Sequence, residues 1–123
     1  AYAKINPNDF ASGKVDVSIA DETKKFDYAY LILNSSVSMD NLTVTSIYTT
    51  DNEESSSNGA MTLTCNAGGV TIQVRTVVLY DENGNLVTAA AYAGKTISVR
   101  GIIDCFNGEY QIKVLSYKDI TIN

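Results

Sequence analysis

Residues 100–114, Arg100-Gly-Ile-Ile-Asp-Cys-Phe-Asn-Gly-Glu-Tyr-Gln-Ile-Lys-Val114, read as strand, tight turn, strand. Asn107 and Gly108 both tolerate positive φ, which a two-residue type I′ hairpin requires at its two central positions. The turn therefore sets the register of the pair. Gly101 interrupts a strand otherwise lined by Ile97, Val99 and Ile103. A glycine inside a strand permits a bulge or sharp bend, and a small barrel needs such bends to close.

Outward from this hairpin the chain reads as β nearly throughout. "VDVSI" puts Val15, Val17 and Ile19 on one face, "AMTLTC" does the same for Met61, Leu63 and Cys65, and "VTIQV" for Val70, Ile72 and Val74. "NLTVTSIYTT", residues 41–50, alternates as well. "YAYLILNSSV", residues 28–37, is a long apolar run that predicts a strand buried on both faces. "DETKKFD", residues 21–27, reads as a charged connection, and "DNEESSSNG", residues 51–59, as a mobile acidic loop. "LVTAAAYAGK", residues 86–95, fits a short helix or an extended return. Residues 1–14 hold the only Pro and read as a linker or N-terminal arm, unless Asn8-Asp9 caps a short helix after Pro7. Short strands between frequent turns make the chain all-β, a sandwich or a small barrel. One such domain, residues 15–123, fits the length.

"GKTISVRGIIDCFNGEYQIKV", residues 94–114, resembles the last two strands of OB-fold domains found in exported and lipid-anchored proteins of gut bacteria of the Bacteroides type. The resemblance implies an OB-fold-like small Greek-key β-barrel with a β-rich N-terminal extension, in a protein exported to the periplasm or cell surface with its signal or lipid anchor removed. The alternative is an immunoglobulin-like sandwich, with Cys65 and Cys105 joined between sheets. The absence of Trp counts against it, since that fold buries one beside its disulfide. Read without the resemblance, the two thiols are small buried strand residues, or a disulfide if the chain is exported.

Several function classes are excluded or disfavoured. There is no His, so Ser–His and Cys–His catalysis are ruled out, and two cysteines forty residues apart make zinc improbable. Asp81, Asn83 and Asn85 have the alternate spacing of a calcium loop, but the terminal Glu and flanking helices of an EF-hand are missing. No metal or cofactor is implied, and the chain is read as non-catalytic. The net charge is −5, all of it in the first half: residues 1–59 carry four basic and nine acidic side chains, and residues 60–123 five of each. An acidic protein gains little from counterion release on nucleic acid.

An OB barrel binds across its second and third strands, between two loops. That places the candidate ligand residues at Tyr48, Gln73, Arg75, Arg100, Phe106 and Tyr110, with Thr62, Thr64 and Thr71 beside them. The aromatics would stack on bases or sugar rings, and guanidinium would pair with phosphate or lie on an aromatic plane. Each residue also has a plainer reading. Tyr48 and Tyr110 fit barrel-end core positions, Phe106 fits packing across its own hairpin, and arginines are common on polar strand faces. Two functions follow. One is a binding module for an extended polymer, either an oligosaccharide or single-stranded nucleic acid. The other is an accessory domain that binds a protein partner or other domains of its parent chain and takes no small ligand.

Overall fold

The computed structural model describes all 123 residues. In chain order the elements are β1 (Ala3–Lys4), α1 (Pro7–Ser12), β2 (Lys14–Ile19), β3 (Glu22–Asp27), α2 (Tyr28–Leu31), β4 (Ser36–Thr49), β5 (Met61–Ala67), β6 (Val70–Thr76), β7 (Thr96–Phe106), β8 (Glu109–Val114) and β9 (Ile120–Ile122). Short 3-10 turns lie at Ala89–Ala91 and Tyr117–Asp119.

Five strands close a barrel. β4, β5 and β6 form an antiparallel meander, β6 pairs in parallel with β8, β8 turns back onto β7, and β7 returns to β4. This is an all-β, OB-fold-like small barrel rather than an immunoglobulin-like sandwich. The thiols of Cys65 and Cys105 are unpaired; Cys65 is buried, and Cys105 is exposed rather than part of the core. No helix is long and apolar enough to cross a membrane.

Two departures from regular pairing let β4 serve two neighbours. Its first half pairs with β7 and its second with β5, with register shifts between Met39 and Leu42 and again between Val44 and Ser46. At the first shift Asn41 takes φ 60, a left-handed conformation that Asn tolerates better than other side chains. Asn41→Gly is therefore expected to leave stability within about 0.5 kcal/mol, whereas Asn41→Val costs roughly 1–3 kcal/mol in urea denaturation. Equal effects of the two substitutions would show that the bulge does not depend on this conformation.

The alternating strands turn one row of apolar side chains inward. Leu63, Ile72, Val74, Ile97, Ile103 and Ile112 are fully buried and belong to one core cluster. At the hairpin, Asn107 and Gly108 have φ 52 and 80, and Phe106 faces Glu109, as a type I′ turn demands.

The N-terminal region differs most from expectation. The arm contains α1, whose N-terminus is capped by the Asn6 side chain accepting from the Asn8 and Asp9 amides at 2.8 and 3.3 Å, with Pro7 at the first helical position. Phe10 anchors it in the core. The apolar run 28–37 is no double-faced strand. It forms α2, with Ala29 buried but Tyr30 and Leu31 exposed, and a turn at Asn34 (φ 67) before β4 begins. An apolar run without clear periodicity fits a buried strand or a helix equally well, and Ala and Leu favour helix. Residues 21–27 are not a connection either. β3 pairs with β2 around Ala20 and Asp21, both at positive φ, and its charges match across the hairpin: Lys14 with Asp27, and Lys25 with Asp16 at 3.1 Å.

This hairpin forms a separate two-stranded sheet and does not join the barrel. Two strands alone are marginal in water, and exposed ion pairs add at most about 1 kcal/mol each. Amide hydrogen exchange is therefore expected to be orders of magnitude faster in residues 14–27 than in β5 and β6. Equal protection would mean that the hairpin is held by more than its own ladder.

Candidate functional site

A cleft of about 760 Å³ lies on the outer face of the barrel. Outward side chains of β5, β6, β8 and β7 make its floor: Thr62, Arg75, Lys113, Gln111 and Asp104. Pairing explains their assembly, because Thr62 lies opposite Arg75, Arg75 beside Lys113, and Asp104 opposite Gln111. Tyr48 at the end of β4 and Phe106 at the end of β7 also line it. In the strand order β4-β5-β6-β8-β7, Arg75 on β6 stands between these two aromatics. Tyr48 is 62% and Phe106 64% exposed, so neither serves the core.

Arg75 is half-buried and held on two sides. One terminal nitrogen donates to Thr62 Oγ1 and the other to Thr50 Oγ1, each at 3.0 Å. Neither Arg75 nor Lys113 forms an ion pair, since the four ion pairs of the chain lie elsewhere. Thr50 is itself fixed by the loop that follows it. The Thr50 amide donates to the Ala60 carbonyl at 2.9 Å, and the Gly59 amide donates to the Thr50 carbonyl at 2.8 Å. Inside the loop the Asn52 and Ser55 side chains accept from the Glu54 and Ser57 amides, each at 3.1 Å. Residues 51–59 thus form a self-bonded knot, and Ser56 and Ser57 reach the cleft. At the other wall the Gln111 amide, mostly buried, donates to Asp104 Oδ2 at 3.1 Å. The other Asp104 oxygen has no partner within the chain.

Of the six residues singled out from sequence, the structure brings Tyr48, Arg75 and Phe106 together. Gln73 faces outward as expected, but its side-chain oxygen accepts from Thr64 at 3.0 Å, and it lies with Tyr110 in a smaller hollow beside Phe10 and Ala11 of α1. Tyr110 is half-buried there, and its hydroxyl is pushed above the ordinary range by desolvation and then by the nearby Asp27 charge. The arm that covers this half of the sheet is the segment that reads as a linker. Arg100 is not in the cleft. It pairs with Asp119 at 3.0 Å and lies over the Tyr2 ring, 5.3 Å from its centroid, beside β9. Sequence reasoning missed Thr50, Asp104, Gln111 and Lys113. Alternation of Gln111 and Lys113 against the buried Ile112 and Val114 is the signal that points them outward.

The groups that suggested calcium are accounted for by the backbone. Asp81 Oδ1 accepts from the Asn83 and Asn85 amides, each at 2.9 Å, which makes a closed turn. No three carboxylates or thiols converge anywhere in a way that could hold a metal ion. The cleft offers hydrogen-bonding groups, aromatic faces and two unpaired cations. Compared with known proteins, the chain matches no family model and no curated protein sequence.

Proposed function

We propose that the protein is a non-catalytic binding module that takes an extended oligosaccharide in the cleft between Tyr48 and Phe106. The observation that carries this reading is the Arg75 guanidinium, oriented by two threonine hydroxyls, lacking an acidic partner and flanked by two exposed aromatic rings. An exposed aromatic presents a large rigid face at low entropic cost, which suits sugar rings. Single-stranded nucleic acid would use the same rings. It would also bring a run of phosphates past Asp104 in the floor, on a chain whose net charge is −5. Two cations are a weak match for that charge. The resemblance of residues 94–114 to exported OB-fold domains agrees with a glycan met outside the cytoplasm.

Titration calorimetry with a panel of neutral and acidic oligosaccharides and a short oligothymidylate tests this. For the panel member that binds, Tyr48→Ala and Phe106→Ala are each expected to weaken affinity about tenfold or more, the loss of roughly 1–2 kcal/mol that truncating a central anchor brings. Unchanged affinity in both variants would place the site elsewhere.

A further inference from the structure

Resting on the reading of the cleft as a glycan groove, we infer that its ligand is an acidic oligosaccharide in which uronic acids alternate with neutral sugars, one carboxylate being read by Arg75. The guanidinium carries five N–H donors in a planar fork that matches a carboxylate. Two of them are taken by Thr62 and Thr50, and the rest have no partner in the chain. Those two hydroxyls fix the plane of the fork without neutralising its charge. The carboxylates of Asp51, Glu53 and Glu54 follow Thr50 directly in sequence, yet none forms an ion pair with Arg75. A half-buried cation held by two hydroxyls and left without an acidic partner is suited to an anion that comes from outside.

The charge pattern limits how dense that anion can be. Arg75 and Lys113 are the cations of the cleft, and Asp104 is a carboxylate on the same floor. Contiguous anions would meet Asp104. An isolated carboxylate with uncharged neighbours meets Arg75, with Lys113 beside it on the next strand. The aromatic positions agree, since Tyr48 and Phe106 lie on either side of β6 and would stack the uncharged rings that flank the acid. The free oxygen of Asp104 and the serines at 56 and 57 are left for sugar hydroxyls.

The test compares binding of a hyaluronan octasaccharide, its carboxyl-reduced counterpart, an oligogalacturonate of equal length and a sulfated chondroitin octasaccharide. The alternating uronate glycan is expected to bind about 10- to 100-fold tighter than its reduced form, as charge-assisted hydrogen bonds imply. Arg75→Gln is expected to erase that preference, so that the acidic and reduced glycans bind alike, and Arg75→Lys to lose most of it because the fork is gone. Thermal unfolding of both variants checks that they remain folded. Equal affinity for acidic and reduced glycans would overturn the inference and leave the groove as a neutral-sugar site. A preference for the galacturonate or the sulfated glycan would also overturn it. No binding by any glycan, with Tyr48→Ala and Phe106→Ala equally inert, would remove the groove reading itself.

Discussion

Gly101→Val is expected to cost about 3 kcal/mol or more, shifting the urea midpoint down by roughly 1–3 M for a domain of this size. A Cβ at this position would lie 2.3 Å from the Lys113 carbonyl oxygen and 2.9 Å from the Ile112 side chain. The first contact is with backbone in the adjoining strand, so no rotamer change relieves it. Gly101 pairs with Val37 of β4 on one edge of β7. On the other edge, β9 pairs with residues 97–99 of β7 and β8 with residues 102–106. The glycine therefore sits where β7 passes from one neighbour to the next, and β8 can close on it only if there is no side chain. Gly101→Ala should already show a clear loss. Wild-type stability in both variants would contradict the barrel closure described here.

The second large effect is an alkaline one. Burial pushes the Cys65 thiol up to about 12, and burial followed by the nearby Tyr117 pushes the Tyr92 hydroxyl up to about 12. In the unfolded chain these groups lose their protons near pH 8.5 and 10. The folded state thus holds protons that the unfolded state has released, and stability falls as pH rises through this window. It is fully present below about pH 8.5 and declines towards pH 12. A tenfold change in proton affinity is worth about 1.4 kcal/mol, so the two groups together remove roughly 7 kcal/mol. That rivals the whole stability of a marginal domain.

Tyr92 is 1% exposed and its hydroxyl has no hydrogen-bond partner. Tyr92→Phe is therefore expected to be neutral, or stabilising by up to about 1 kcal/mol, at pH 7, and to flatten the alkaline decline. Urea midpoints at pH 7, 9, 10 and 11 measure both. An unchanged slope in Tyr92→Phe would mean that its hydroxyl reaches water in the folded protein.

These two sites also show what the sequence carries. Gly101 was legible as a bend, because a glycine breaking an apolar alternation has few other uses. Asn107-Gly108 was legible because a short-range turn rule determines it. The approach of the Lys113 carbonyl to Gly101 was not legible, since it depends on β8 lying across β7. Alternation reveals which side of a strand a residue faces but not which part of a closed barrel it reaches. Arg100, Asp104 and Phe106 share one side of β7, yet Arg100 lies before the bend, beside β9 and Asp119, while the other two line the cleft. Gln73 and Arg75 likewise share one side of β6, and only Arg75 escapes α1. That helix turns on the Asn6 cap and on the burial of Phe10, both local features of a segment whose polar composition suggests a linker.

Ligand binding in the cleft between Tyr48 and Phe106 can be followed residue by residue through the amide resonances of labelled protein during titration with the oligosaccharide panel. Shifts are expected to cluster at Tyr48, Thr50, Thr62, Arg75, Phe106 and Gln111, with Thr71, Gln73 and Arg100 unmoved. Shifts centred on Thr71 and Gln73 or around Arg100, with the cleft silent, would contradict binding there.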